Sequence, residues 1–525
     1  MDHRVSGKPA FVNVHAVAGT AQMGGQLYNA ARDGSALVIT AGLNDNQLFS
    51  DDGVLSPRPG FDQKDIPRQF TKLCWDARKA ESIPVMLRRA FKVAATEPGG
   101  PVYLALAHYA LEAKNASAQI LPAERFLLRS RVRPEAAAVE KAARWLMDVR
   151  RPLLLVGAEV WKSGAQSAVI ALSERLGLAV SVVPGSAGFQ NFPTKHPHYL
   201  GPFSMGSDYV AKGVDLMMFV GSRDFGGRAL PNSPEIPPNA RIVRIGIDTA
   251  SIGRNYATDL ALIGDVREAL TDLSTALDSA ASKDKLKAIA QNRAGELRAF
   301  ISAQRTKAEA ATKANFGRHP MHPDELGYLV ARYVEPNSII VSENLTGKYD
   351  SFPFGYRDNE LMWLGNSGYS PGWGVGASIG AALAAPQRPV VCCIGDGSVM
   401  YSASGFWTQA RYSIPVLTVV WNNHNYQTVR NAYYNYKGKM AATDHYAGMY
   451  LGNPDIDFVK LAASQGVAGE KVENAAQLEA ALVRGVKSTR DGKPYLIDAE
   501  VARYGGGAAS TWYEKFSLAE KRKRA

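Results

Sequence analysis

Cysteine is scarce in this chain: three residues in 525, at Cys74, Cys392 and Cys393. Their spacing fits neither a metal site nor a disulfide framework, which suits a reducing compartment. A signal peptide is also lacking, as is any apolar stretch long enough to span a bilayer. A membrane role is therefore not expected, and a cytoplasmic location is. No run interleaves Arg or Lys with aromatic residues in the manner of a single-strand binder, so the formal charge of +11 does not point to nucleic acid. Basic residues are scattered apart from Lys521-Arg522-Lys523-Arg524, and a basic surface suits anionic substrates and cofactors. No dinucleotide or P-loop fingerprint follows a strand, which disfavours simple nucleotide binding.

What is present is ordinary globular composition: 46% apolar, 21% charged and 9% aromatic residues. The 48 glycines and 28 prolines suggest many tight strand–helix junctions rather than long bundles. The length exceeds what one core supports and suggests about three domains. Residues 10–14 read as a buried strand. Gly19-Thr20 open a helix that runs to Ala31, and residues 36–40 form the next strand. Strand–helix alternation continues to a strand at 102–105, and a linker follows at about 114–134. The pattern restarts with a helix at 135–147, a strand at 152–156, a helix at 165–176 and strands at 179–183, 215–220 and 240–247. A polar stretch at 283–312 reads as a connecting helix. Strands at 339–342, 390–394, 416–421 and 494–499 build a third segment. The fold class expected is α/β, with three consecutive doubly wound parallel-sheet domains at 1–115, 135–312 and 319–503. The tail at 504–525 is expected to be a flexible or lid-like extension.

One constellation carries chemistry. The apolar run 390–394 predicts a strand buried on both faces, with Cys392 and Cys393 as small core residues. Gly395-Asp396-Gly397-Ser398 then turns into a helix, with Ser398 placed as its N-cap and Phe406, Trp407 and Ala410 at helical spacing. The next strand delivers Asn422-Asn423, with twenty-four residues between Gly397 and Asn422. A strand–helix–strand crossover sets two parallel strand ends side by side, where open α/β sheets bind ligands. Asp396 offers a carboxylate and Asn423 an amide oxygen, hard ligands for Mg²⁺ or Ca²⁺. Backbone N–H groups at Gly397 and Ser398 would hold a diphosphate, which the glycines let approach closely.

This combination is the thiamine diphosphate (ThDP) motif, and the chain resembles the ThDP-dependent 2-oxo acid decarboxylases and acetohydroxyacid synthase-like carboligases over almost its whole length. Within that family the resemblance is strongest to benzoylformate decarboxylases. It is carried by Phe11-Val12-Asn13-Val14-His15, by Phe192-Pro193-Thr194-Lys195-His196-Pro197 and by Met321-His322-Pro323. The resemblance implies ThDP and Mg²⁺ as cofactors, a 2-oxo acid as substrate, and a homodimer or homotetramer. It also implies His15 and His322 as proton-transfer residues, Asn425 as third metal ligand through its backbone carbonyl, and Tyr426, Val429 and Ala432 along the substrate side. Two departures stand out. The family's activating glutamate precedes the segment matching His15, yet Met1 to Val14 contain no Glu, so a truncated start is expected; genuine loss of the glutamate or of activity is the alternative. Pro371, in Ser370-Pro371-Gly372, stands where the family carries a bulky aliphatic wedge beneath the cofactor. The reaction expected is non-oxidative decarboxylation. The alternatives are acetolactate synthase-like carboligation and a catalytically impaired cofactor-binding homologue.

Overall fold

The computed structural model describes residues 1–44, 53–126, 131–183, 191–223, 235–344, 362–365 and 367–515; part of the linker and the basic run at 521–524 lie outside them. The chain divides into two compact units, one of Met1–Lys307 with Leu364–Ser370 and one built mainly from Ala308–Tyr356 and Pro371–Ala525. The described residues form three sheets, and the fold is α/β as the alternation of elements implied.

The first unit holds two sheets. Strands β1 (Ala10–Val14), β2 (Leu37–Leu43), β3 (Leu73–Ala77) and β4 (Pro101–Ala107) pair in the order β1-β2-β4-β3, all parallel. β1 was expected to be buried, but Phe11 is 53% and Val12 41% exposed. The reason is position: β1 sits at the sheet's edge and has a strand on one side only. The helix expected from Gly19 to Ala31 is two helices, Ala16–Gln22 and Gly24–Asp33. They meet at Met23, where Gly24-Gly25 removes helical propensity.

The helix Gly24–Asp33 anchors the segment that leads toward Pro371. Asp33 forms a buried ion pair with Arg4 at 3.1 Å and accepts the Ser367 N–H at 3.0 Å, while Arg4 also donates to the Gly365 carbonyl. The Asn29 amide donates to the Ser370 carbonyl at 3.0 Å and accepts its N–H at 3.1 Å. A buried charge held this way is costly to leave alone, so the pair and its backbone partners act as one clasp.

The second sheet of this unit comprises β5 (Pro152–Val156), β6 (Ala179–Val182), β7 (Tyr199–Pro202), β8 (Leu216–Val220), β9 (Arg241–Gly246) and β10 (Leu260–Ile263). Their order is β10-β9-β8-β5-β6-β7, again all parallel. The polar stretch expected as a connector is the helix Lys283–Lys313, but it also builds core. Leu297 and Ile301 pack with Leu153, Met217 and Phe219. Arg305 on this helix donates to the carbonyls of Thr194, Lys195 and His196, clasping the segment singled out in the sequence.

The second unit contains β11 (Ile339–Glu343), β12 (Met362–Leu364), β13 (Val390–Gly395), β14 (Val416–Asn422), β15 (Ala468–Val472) and β16 (Tyr495–Glu500), in the order β12-β11-β13-β14-β16-β15. The five strands from β11 to β15 in that order run parallel. β13 and β14 are buried along both faces, which explains their nearly continuous apolar sequences, broken only at Thr418 before Asn422 ends β14. Cys392 and Cys393 are core thiols whose pKa values burial drives far upward, so they are unreactive. The order of strands reverses at β11/β13, and their carboxyl ends open at this switch point.

His198, beside the Arg305 clasp, generates a pH prediction. It is 1% exposed, and burial, reinforced by His196 and Arg298, pushes its pKa down to about 4. The unfolded chain titrates near 6.5, so the folded state resists the proton, and stability present above pH 6.5 is lost as pH falls toward 4. The loss should reach about 3 kcal/mol. The acid limb of a melting-temperature profile should therefore begin near pH 6.5 and be blunted in His198→Gln; an unchanged limb in that variant would exclude His198 as its source.

Candidate active site

The turn after β13 builds the centre of the site. Gly395 is the N-cap residue of a four-residue helix, Asp396–Val399, and the chain re-enters helix at Gly405–Arg411. Ser398 therefore lies inside the first turn rather than at the cap expected for it. The single helix expected through Ala410 is interrupted at residues 400–404. Asp396 stands where the strand's hydrogen bonding ends, and its carboxylate is 4% exposed. Its Oδ1 accepts the Gly397 N–H at 2.8 Å and its Oδ2 accepts the Asn425 N–H at 3.2 Å. Burial pushes its pKa up to about 7, against the pull of backbone N–H groups at Gly397, Asn425, His424 and Asn423.

β14 brings the asparagines to the same place. Asn422 ends the strand and donates from its side chain to Asp498 on β16 at 3.0 Å. His424 then takes a left-handed conformation, φ 53°, which folds the chain back so that the Asn425 N–H reaches Asp396. Asn423 and Asn425 are each 3% exposed, and the side-chain Oδ1 of each is buried without a hydrogen-bond partner. Two orphaned amide oxygens beside a buried carboxylate are costly unless a cation completes them. The donor set is all oxygen and carries one negative charge, which fits a hard divalent ion such as Mg²⁺. At Asn425 the side-chain Oδ1 lies unpartnered in addition to the backbone carbonyl expected as donor.

Tyr426 covers this turn. A Cβ at Gly397 would collide with the Tyr426 ring, so only glycine lets the ring lie on the motif. Burial raises the Tyr426 phenol to about 12, with Tyr401 as the next contributor. On the β11 side stands Glu343, a residue the sequence reading passed over. It is 8% exposed, and its carboxylate accepts the N–H groups of Gly372 at 2.8 Å and Gly374 at 2.5 Å. Burial raises Glu343 to about 6, opposed by these N–H groups and then by the Ser398 side chain. Gly372 itself is left-handed, φ 79°, with Tyr401 where a side chain would project. Glu343 therefore fixes the residues after Pro371 and touches the Gly-Asp-Gly-Ser turn. Its position at a strand's carboxyl end was the available signal.

The remaining candidates fall in different places. His322 belongs to the second unit, where it is the N-cap of the helix Pro323–Tyr333. Its Nδ1 accepts the Asp324 N–H at 3.2 Å, and its ring lies 5.3 Å from that of Tyr504. Met321 pairs with Val501, and the Val501 N–H bonds the Asn422 carbonyl, so His322 stands at the same carboxyl edge of the sheet as the asparagines. His15 and Ser370 belong to the first unit; His15 is an exposed N-cap residue of the helix Ala16–Gln22, and Ser370 is held by Asn29. Pro371 opens the second unit's run into the helix Trp373–Ala384. On the helix Gln427–Tyr436, Val429 and Ala432 are exposed, while Gln427 and Arg430 are buried. The tail expected as an extension is described as far as residue 515; its Gly506 packs against Tyr434 of this helix and its Gly507 against Tyr446 beyond it.

Comparison with known proteins bears on the family and the fold. Residues 352–499 match the family model "Thiamine pyrophosphate enzyme, C-terminal TPP binding domain", and residues 139–273 match "Thiamine pyrophosphate enzyme, central domain". The chain is 28% identical over 500 residues to the benzoylformate decarboxylase of Pseudomonas aeruginosa, covering 94% of this chain and 87% of that one. It is 25% identical over 474 residues to the acetolactate synthase isozyme 3 large subunit of Escherichia coli, covering 86% and 79%. The solved thiamine diphosphate-dependent 4-hydroxybenzoylformate decarboxylase of Rhodococcus jostii RHA1 shares the fold, with a TM-score of 0.77, 24% identity and coverage of 95% and 89%.

Glu343→Gln should lower the melting temperature by several degrees, the consequence of about 1–3 kcal/mol lost when an amide N–H faces a buried backbone N–H. Thermal denaturation followed by circular dichroism checks this. A variant that melts with the wild type would show that the Gly372 and Gly374 donors are satisfied in another way.

Proposed function

Since the chain belongs to the thiamine pyrophosphate enzyme family, we propose that it is a ThDP- and Mg²⁺-dependent lyase that decarboxylates a 2-oxo acid without oxidation. The observation that carries the Mg²⁺ assignment is the pair of orphaned Oδ1 atoms at Asn423 and Asn425 beside the buried Asp396 carboxylate. These three residues would hold the cation. The turn Gly395-Asp396-Gly397-Ser398 would receive the diphosphate, the Ser398 N–H being its donor not committed to Asp396, with Tyr426 closing one side of the turn. Ser370 and Pro371 would line the bend of the cofactor, Pro371 held through its neighbours by Glu343. When bound, ThDP supplies the electron sink that lets CO₂ leave.

The chain's own groups handle the proton. With the His322 Nδ1 occupied as an acceptor, the tautomer carries its hydrogen at Nε2, the atom that would deliver it to the product. His15 would serve the second transfer. Assembly as a homodimer or homotetramer belongs to the same proposal, and sedimentation velocity reads it directly. The similarity to acetolactate synthases supports a second reading, in which the same activated group is passed to a second carbonyl.

Calorimetric titration of ThDP in the presence of Mg²⁺ tests the binding step. Wild type should bind, and Asp396→Asn should weaken binding on the order of 100-fold, by loss of the site's one charged ligand. CO₂ release from benzoylformate and other 2-oxo acids, with and without an acceptor aldehyde, tests the reaction. Release independent of acceptor supports the decarboxylase, and acceptor-dependent acyloin supports the carboligase. Tight binding with no CO₂ from any 2-oxo acid would remove both in favour of an impaired homologue.

A further inference from the structure

The helices Ala136–Asp148 and Gln166–Leu176 both end beside Arg293, a residue of the helix Lys283–Lys313. Its Nη1 donates to the Leu176 carbonyl at 3.1 Å, and its Nη2 to the carbonyls of Leu146, Met147 and Val149. One cation thus meets the negative ends of two helix dipoles. Two more arginines follow the first of these helices and lead into β5. Asp215 accepts the backbone N–H of Arg150 at 2.6 Å and that of Arg151 at 2.9 Å, which fixes the chain that carries both.

The three arginines line a cavity of about 300 Å³ at the amino end of β5, a volume at the small end of small-molecule sites. Tyr209 also lines it. That residue is 6% exposed, with its ring packed on Phe300 and beneath the Arg151 guanidinium, 5.1 Å away. The Tyr209 hydroxyl has no hydrogen-bond partner among the described residues, yet it remains accessible. Burial raises this phenol to about 12, and the charges that act on it are Arg151, Glu296, Arg293 and Asp215. Three of those four line the cavity, so the hydroxyl lies among the cavity's charged groups.

Some of these donors are committed and others are not. Glu296 takes Nη2 of Arg151 on both oxygens, at 2.9 and 3.0 Å, and has Lys212 at 3.6 Å. Nε and Nη1 of Arg151, and the whole exposed side chain of Arg150, make no hydrogen bond among the described residues. Three guanidinium groups face one carboxylate on the lining, so two positive charges are left over. Asp215 and Lys212 behind the lining add one charge of each sign and leave that balance unchanged. Water would satisfy the free donors but not the charge, and a monocarboxylate would cancel only half of it. A phosphate monoester carries about −1.5 to −2 at pH 7 on three acceptor oxygens, and arginine forks match it.

We infer that this cavity binds the phosphoryl group of a small phosphate compound, held by Arg150, by the free donors of Arg151 and by the Tyr209 hydroxyl. Ile289 and Leu297 supply an apolar part of the wall for an organic substituent. The phosphoryl group has two possible sources, a monoester or free phosphate. The site lies at the amino end of its strand, away from the carboxyl ends where open α/β sheets hold their ligands. It uses none of the residues assigned to ThDP or Mg²⁺, so it stands or falls independently of the reaction proposed above.

Isothermal titration of the full-length protein, without cofactor and at constant ionic strength, tests this with glycerol 3-phosphate, inorganic phosphate and acetate. The wild type should bind both phosphates saturably, and acetate at least about tenfold more weakly. Arg150→Gln, at an exposed position, should weaken phosphate binding about tenfold, and Tyr209→Phe about fivefold. Saturating ThDP and Mg²⁺ should leave the affinity unchanged. Tighter binding of glycerol 3-phosphate than of inorganic phosphate assigns the site to monoesters, and equal affinities assign it to the phosphoryl group from either source. The inference fails if neither phosphate binds, if acetate binds as tightly, or if either variant binds as the wild type does. Competition by ThDP would place the phosphate at the turn after β13 and overturn the site as well. Should Tyr209→Phe not fold, Arg150→Gln decides.

Discussion

A carboxylate taken out of water at the end of a buried strand has to be met by something, and Asp396 is met by backbone. N–H groups from its own turn and from the end of the neighbouring strand converge on it. That convergence exists only because β13 and β14 are adjacent, parallel and in register from Val390↔Val416 to Gly395↔Trp421. The apolar runs of both strands are what hold that register, since each is covered on both faces. The core therefore supports the site directly. It holds two chain ends close enough for one acid side chain to bridge them.

Glu343 repeats the arrangement one strand away. It too is a buried carboxylate at a strand's carboxyl end, satisfied by N–H groups of glycines whose missing side chains leave room for Tyr401 and Ile394. Between them the two acids order the turn after β13, the loop after β14 and the entry to the helix Trp373–Ala384. They differ in what remains unsatisfied. Around Asp396 the amide oxygens of Asn423 and Asn425 still lack partners, the observation on which the proposed cation site rests. Glu343, bonded to glycine N–H groups on both oxygens, positions backbone instead.

The opposite charge problem occurs on the next helix. Arg430 is as deeply buried as Asp396, but the carbonyls that meet it come from residues 507–510, far along the chain. Polar groups on two sides of one loop are thus left without hydrogen-bond partners, amide oxygens at Asn423 and Asn425 and N–H donors at Arg430. Both arise because burial removes water before the protein alone can replace every hydrogen bond. Tyr426 stands between them in sequence, its ring against Gly397 and its carbonyl holding the Arg430 N–H.

The parts of the protein legible in its sequence are those set by local pattern. Periodicity and apolar runs marked most strands to within a few residues, and the spacing from Gly397 to Asn422 was enough to bring Asp396 and Asn423 together. Local pattern failed where a neighbour decided the outcome. Residues 10–14 have the composition of a core strand but lie at an edge, and the polar stretch ending at Lys313 contributes Leu297 and Ile301 to a core. Glu343 and Arg430 look like ordinary surface charges in sequence, because burial and pairing depend on segments 29 to 80 residues away. The sequence by itself determined the turn, its ligand types and the cofactor class they suit, since these follow from residues joined through one crossover. Tertiary structure alone decided which charges are buried, which oxygens and N–H groups lack partners, and what the C-terminal segment covers, because solvent exclusion belongs to the packed whole.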